Sequence, residues 1–550
     1  MIVFFPGAFF PGTLFPGMAR SHIPALLASL MLLMSPLFAK AAAVDFATQS
    51  ITIALTQEPP TLDTVRATDI VSFFVIGHVQ EGLVRFDQRG GIAPGVASSW
   101  VVSDTSIEFS LRPDARWSDG SQVTAADFVY AWQLLVTPAT AAAYASIMFP
   151  VKNAEQIQRG ELPVTELGVR AVSATVLRVE LERPCGYCVS LMAHGAFFPI
   201  KQSFREAQGS LYGVEPANLL SNGPFKLTQW THGASLLLVK NPEYWQRDQV
   251  HLNAINIGYI TEDNRARLNL FRDGSIALAR LGAETVADAA SQGLRLRTFA
   301  TGGMSYLRFN VEPQRLLAEL KLRQAIQLIF DSDEFVNKVI GIPGYKPAYS
   351  FFPSWLPGAA DTFANEYPLA KIEPDVVRAR QLADEVRALV GDRSLTLLTV
   401  ASPTGAKIAE YLQGIIGREL GLVVKVDQQT FKQYLVKAEQ GDFDMALSSW
   451  YPDFNDVVTY ADLLASWNAN NRGHYASAEY DSWLVELQRA VAPAERLAAA
   501  ARLQVILQQD APVLPMAETG SAYLQHSKLR GVVRQVLGAD PDYSRARVVQ

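Results

Sequence analysis

The chain has 550 residues, 49% apolar and 19% charged, a composition that excludes disorder as the prevailing state. At roughly 100 to 200 residues per domain, it has room for about three to five domains or two large lobes. Lys and Arg number 48 against 54 Asp and Glu, a net charge of −6, so no basic surplus exists to neutralise a phosphate backbone and nucleic acid is not an expected partner.

At the amino terminus no formal charge occurs between Ser21 and Ala39, and Arg20 and His22 precede a Leu/Met-rich core over Ile23 to Phe38. This is the layout of a cleavable export signal. Ala39-Lys40-Ala41 sets small residues before a cut at Ala42, with a second candidate cut after Ala43. A membrane anchor needs about 20 apolar residues, and Pro24 and Pro36 shorten this run. No cysteine lies near the cut to carry a lipid. Residues 1–41 are therefore read as a signal peptide, and the Phe-Pro-Gly repeats at Phe5, Phe10 and Phe15 before Met18 predict translation from that methionine. Removing 1–41 deletes Arg20 and Lys40 and no acid, taking the net charge from −6 to −8. A soluble product in an envelope space is expected.

After residue 45 no apolar run approaches membrane length. Ile51–Leu55, Ser106–Leu111 and Val176–Leu181 read as strands, each β-branched or alternating and bounded by Pro, Gly or Asp. Trp117-Ser-Asp-Gly120 is a turn. Thr124-Ala-Ala-Asp127 is an acidic capping box opening a helix whose Phe128, Ala131, Trp132 and Leu135 share one face. Further on, Leu322, Ala325, Ile326, Ile329 and Phe330 make a buried helical stripe, after which Asp331 to Asp333 start a second helix that Gly341 ends. Then Leu395–Val400, Ala406–Leu420, Leu422–Asp427, Phe431–Glu439 and Phe443–Trp450 alternate in βαβαβ order. Parallel strands joined by helices leave a crevice beyond their carboxyl ends, so the segment after Trp450 is where a binding group is expected.

The sequence contains no Gly-x-Ser-x-Gly elbow, no phosphate loop ending in Lys and no His-Glu-x-x-His pair. His22, His78, His194, His232, His251, His474 and His526 are never within five residues of one another, which gives no metal site. His78 and His194 sit among apolar neighbours and read as partly buried, hydrogen-bonded histidines. Cys185-Gly-Tyr-Cys188, the only cysteines, allow a redox dithiol, half a zinc site or a structural disulfide. A redox thiolate wants a helix amino terminus, whereas Pro184 and Gly186 suggest a turn, and zinc lacks a second pair. In an oxidising compartment the disulfide is favoured, contributing about 2 kcal/mol at most.

Several phrases, in order, resemble the oligopeptide-binding proteins of bacterial ABC importers. They are Gln57-Glu-Pro-Pro-Thr-Leu-Asp63, Glu81-Gly-Leu-Val-Arg-Phe-Asp87, Ala93-Pro-Gly-Val-Ala-Ser-Ser-Trp100, Leu111-Arg-Pro-Asp-Ala-Arg-Trp-Ser-Asp-Gly120 and Val123-Thr-Ala-Ala-Asp-Phe-Val-Tyr-Ala-Trp132. Ser221-Asn-Gly-Pro-Phe-Lys226, Asn241-Pro-Glu-Tyr-Trp245, Pro347-Ala-Tyr349 and Asp510-Ala-Pro512 continue the series to about Leu529. Most are scaffold, and Trp100, Trp117, Trp132 and Trp245 are expected to pack in the core. The resemblance implies an α/β, two-lobed periplasmic binding protein fold of type II with an extra subdomain. One lobe would comprise 45–80, 207–303 and 520–550, the extra subdomain 81–206, and the other lobe 304–519. It further implies a periplasmic monomer, without cofactor or catalysis, that captures a peptide between its lobes and delivers it to an inner-membrane ABC permease.

A peptide brings an ammonium, a row of amides and a carboxylate. A buried ammonium needs a fixed carboxylate, and Asp453 occupies the position where the family holds the ligand's α-amino group. Its rival role is a helix cap, by Asp453 or Asn455, for a helix over Val457 to Leu464. Trp450 and Phe431 align with side-chain pockets, Tyr306 to Asn310 with a lobe-crossing strand, and Thr68 to Ile70 with a segment near the ligand main chain. Where the family carries cations for the ligand carboxylate, this sequence has Ala438, Glu439 and Leu447. Arg280 and Arg308, expected on neighbouring strands, are candidate replacements. Longer, amidated or cell-wall-type peptides, or peptides with a cation near Glu439, are the expected ligands. The alternatives are a haem-like, metal-chelate or sugar ligand on the same fold, or an envelope hydrolase using Asp453, Asp444 or Glu439.

Overall fold

The computed structural model describes residues 42–87, 91–142, 144–468 and 470–550; the expected signal peptide lies outside them. Ser50–Leu55 pairs in parallel with Ala254–Ile260, about two hundred residues away in the chain, and Ser235–Lys240 and Phe225–Thr231 extend this sheet by antiparallel meander to five strands with Val44–Asp45 at its edge. Ile51, Ile53, Ile255 and Ile257 are buried, as a parallel pair covered on its faces requires.

A second, four-stranded antiparallel sheet is formed in the order Ala97–Ser103, Ser106–Leu111, Val176–Glu180 and Val169–Ser173. Helix Ala125–Val136 lies against it through Phe128, Ala131, Trp132 and Leu135, all fully buried. Asp127 shows why the helix begins where it does. Its carboxylate accepts from the Thr124 amide at 2.8 Å and from Trp117 Nε1 at 3.3 Å, tying the preceding turn, with Gly120 at φ +85°, to the helix start. Trp117 and Trp132 are core residues; Trp100 and Trp245 are partly buried against the same core.

The third sheet has the order Leu278–Leu281, Val513–Gln525, Arg297–Phe309, Met445–Trp450, Leu395–Val400 and Val424–Gln429, with Lys346–Pro347 beside Val513–Gln525. Its last three strands are parallel and linked by helices Pro403–Leu420 and Phe431–Glu439, the βαβαβ unit expected. The first strand sits between the other two, so the switch in strand direction of travel falls beside Trp450. Arg297–Phe309 and Val513–Gln525 run antiparallel for 13 residues each, with a register break between Ala300 and Met304. Gly302 and Gly303 fall in the break, and Gly302 has φ +75°. Opposite them Gly520 has no room for a side chain: an added Cβ would lie 2.0 Å from the Gly344 carbonyl carbon.

Beyond shifts of two or three residues at element ends, two features differ from the sequence reading. After the Asp331 cap, residues Ser332–Glu334 are α-helical, but Phe335–Ile340 widens to a π-helix before Gly341 closes it at φ +64°. The wider turn lets Phe335, Val336, Val339 and Ile340 all be buried. Arg280 and Arg308 are not on neighbouring strands, because Val513–Gln525 runs between theirs and pairs with both.

Candidate functional site

A cleft of about 640 Å³ opens beyond the carboxyl end of Met445–Trp450. Its walls include the first turn of helix Ile70–Val79, Tyr144, His194, the segment Ser449 to Asp453, and Arg267 and Arg280. Asp453 stands three residues past the strand. Its backbone N–H donates to Thr459 Oγ1 at 3.2 Å, and its carboxylate accepts the Tyr144 hydroxyl. Burial lifts the Asp453 pKa to about 6, opposed only by that hydrogen bond. No neighbouring cation acts on it.

Neither Asp453 nor Asn455 caps the helix that follows, whose N-cap residue Val457 makes no side-chain cap. Asp456 Oδ1 accepts from the Val458 amide at 3.0 Å and pairs with Arg496 at 2.5 Å. The helix is short, Val458–Ala461, followed by a 3-10 turn over Asp462–Leu464. The Asp453 carboxylate, not used in capping, lines the cleft.

Beside Asp453 the wall of the cleft is aromatic. His194 Nδ1 accepts from the Ala196 amide at 3.2 Å, and the ring packs on Phe73 and Tyr144 with centroids at 4.8 and 5.1 Å. Burial depresses its pKa to about 4, so at neutral pH the ring is uncharged and carries its proton on Nε2. Trp450 Nε1 is a buried donor without an acceptor. Thr68 and Ile70 also line the cleft, and Ile70 is 76% exposed because Asp69 caps the helix through the Val71 and Ser72 amides and holds residue 70 at the rim.

Five predicted positions are placed elsewhere. Tyr306 is in the core, its hydroxyl accepting from Arg308 at 2.9 Å and its ring edge-on to Phe351. That bond also takes Arg308 out of the cleft, since its side chain is buried beside Tyr306. Leu447 packs against the core beneath the parallel strands, and its carbonyl accepts the Tyr434 hydroxyl at 2.8 Å. Phe431 is exposed at the start of its helix, stacked on Tyr434. Glu439 is exposed at the helix end, 3.3 Å from Arg472, so its charge is met locally.

Cys185 and Cys188 form a disulfide. The expected turn is present at Gly186 and Tyr187, and Cys188 directly after it is the first residue of the short helix Cys188–Leu191. Tyr187 between the cysteines stacks on Phe454 at 5.1 Å, under the Arg496 guanidinium, and so braces the loop that bears Asp453. His78 is fully buried rather than partly, donating from Nδ1 to the Phe74 carbonyl at 2.7 Å and accepting from the Tyr543 amide at 3.0 Å. Tyr144, His194 as a wall residue, Tyr451 and Arg267 were not legible as site residues. Tyr144 lies in an Ala-rich stretch with no motif, and nothing local marks it as the partner of a carboxyl three hundred residues away. Among the described residues no group of three His, Cys, Asp or Glu is placed to hold a metal ion, and no helix is long and apolar enough to cross a membrane.

With an α/β scaffold and a cleft at a strand switch point, the molecule has the build of a solute-binding protein. Residues 91–472 match the family model for bacterial extracellular solute-binding proteins, family 5, and the chain belongs to that family. It shares 29% identity over 492 residues with the periplasmic murein peptide-binding protein MppA of Escherichia coli (strain K12), covering 88% of this chain and 90% of that one. The crystal structure of the substrate-binding domain of an oligopeptide ABC transporter from Bacillus anthracis str. Ames superposes with a TM-score of 0.79 at 31% identity, covering 92% and 99% of the two chains. Haemophilus influenzae OppA in complex with RPPGFSPFR gives 0.78 at 27%, covering 92% and 100%. The fold is the two-lobed α/β fold of these proteins, and the family is one of substrate-binding proteins rather than enzymes.

Proposed function

We propose that this protein is the peptide-capturing component of an ABC importer, exported to the periplasm by a signal over 1–41 and presenting its cargo to an inner-membrane permease. The observation that carries the reading is Asp453, a buried carboxyl facing a large cleft with no cation to meet it. A peptide ammonium supplies that charge. Trp450 Nε1 and the Nε2–H of His194 offer donors to main-chain carbonyls, which are the same in every peptide and leave side-chain identity loosely specified. Two relatives point to the same cargo: MppA is named for murein peptides, and Haemophilus influenzae OppA holds a nonapeptide.

The division proposed is one lobe of 45–80, 207–303 and 520–550, an extra subdomain of 81–206 and a second lobe of 304–519. Lobe closure would turn on the register break near Gly302 and Gly520. Bound peptide stabilises the closed form, and the permease reads that form. The protein acts as a monomer and needs no cofactor. Native mass spectrometry of the purified mature protein, followed by calorimetry with the peptides it carries, tests the proposal. Asp453→Ala is expected to abolish peptide heat while keeping the circular dichroism spectrum. Undiminished peptide binding by that variant would contradict it.

A further inference from the structure

The cleft has a second charge centre, positive and away from Asp453. On the strand Leu278–Leu281, Ala279 and Leu281 are buried while Leu278 and Arg280 face the cleft. Arg280 is exposed there, and no hydrogen bond or ion pair occupies its guanidinium among the described residues. Arg267, on helix Asn264–Arg272 beside that strand, lines the same cleft but is only 6% exposed. Its Nη1 donates to the Thr261 carbonyl at 2.9 Å and its Nη2 to Asn264 Oδ1, whereas Nε is buried without an acceptor.

The two guanidiniums repel each other. Burial first, and then the Arg280 charge, depress the Arg267 pKa. Asp263, Glu284 and Glu262 oppose this only in part, because Asp263 is spent capping the helix and Glu284 accepts from Asn264. Two like charges on one cavity, one with an unmet buried donor, are stabilised by an anion, and the planar guanidinium fork fits a carboxylate.

We propose that Arg280 and Arg267 bind a carboxylate of the captured peptide, so that the cleft is bipolar, with Asp453 holding the ammonium. This rests on the peptide-capture reading above. The strands Val513–Gln525 and Arg297–Phe309 lie between that of Arg280 and Met445–Trp450, beyond whose end Asp453 follows, and Arg280 is not among the groups acting on Asp453. Three strand spacings of about 4.8 Å make roughly 14 Å across the sheet, a separation that favours guests longer than a dipeptide. The carboxylate is either the peptide's own terminus or an acidic side chain near it.

Calorimetry of the mature protein with penta-alanine, its C-terminal amide, its N-acetyl form and an amide ending in glutamate decides the matter, with Arg280→Gln measured alongside. Amidation is expected to weaken wild-type binding about tenfold or more, and Arg280→Gln, altering an exposed side chain, to bind acid and amide alike. Recovery of wild-type affinity by the glutamate-bearing amide, lost in Arg280→Gln, would identify a side chain as the source of the carboxylate. Equal wild-type binding of all three non-acetylated peptides, or full acid-over-amide preference in Arg280→Gln, would overturn the arginine site. Tight binding of the N-acetyl peptide strikes instead at the Asp453 reading, and failure of every peptide to bind overturns both.

Discussion

Asp453 carries a conflict that a cationic ligand group would resolve. Its folded-state pKa of about 6 lies above the ordinary 3.8, so the empty folded protein holds that proton more tightly than the unfolded chain does. The associated stability is fully present below pH 3.8 and is lost as the pH rises through about 6; the difference amounts to at most about 3 kcal/mol at neutral pH. Asp453→Asn is therefore expected to raise the thermal midpoint of the ligand-free protein at pH 7 while removing peptide binding. A midpoint that falls would show that the carboxylate is not isolated in the empty cleft. The same titration governs affinity. Only the ionised form pairs with an ammonium, so peptide binding should weaken about tenfold between pH 7 and pH 5, and this slope should vanish in Asp453→Asn. Neutral His194 adds no charge change in that window, since burial holds its pKa near 4.

At the scale of elements, stability is concentrated where side chains join one element to the next. Asp127 receives both the Thr124 amide and Trp117 Nε1. Asp127→Ala should cost about 1–3 kcal/mol in chemical denaturation without changing peptide affinity, because it breaks a cap and orphans a buried indole donor far from the cleft. Gly520→Ala belongs to the opposite class. Its methyl group would overlap the Gly344 backbone, so the paired strands must part where their register already breaks. Both stability and peptide affinity are expected to fall, which equilibrium denaturation and calorimetry measure independently. Leu395–Val400 and Phe431–Glu439 have the bounds the sequence predicts, because hydrophobic period and caps are local quantities. The π-helix at Phe335–Ile340 was not predictable in this way, since its wider turn is selected by what its four apolar residues pack against.

For the whole molecule, the proposed closure would make binding and lobe movement one equilibrium. A peptide at 100 times its dissociation constant should add about 2.7 kcal/mol to the stability of the folded state, visible as a concentration-dependent rise in the thermal midpoint. Small-angle scattering should show contraction on adding peptide if the lobes close at the Gly302–Gly520 break, and unchanged dimensions would mean that the cleft fills without movement.

What the sequence by itself determined is the parallel unit ending at Trp450, from periodicity and caps, and the family scaffold, from short phrases read along the chain, whose resemblance also pointed to Asp453. Tertiary structure decided the rest of the site. It set Tyr144 against Asp453, turned His194 into an uncharged wall, and tied Asp456 to Val458 and Arg496. It kept Tyr306, Leu447, Phe431 and Glu439 out of the cleft and brought Arg267 to Arg280. The reason is physical: whether a charge can serve a ligand depends on what is missing around it, and the surroundings of a buried group are assembled from segments hundreds of residues apart.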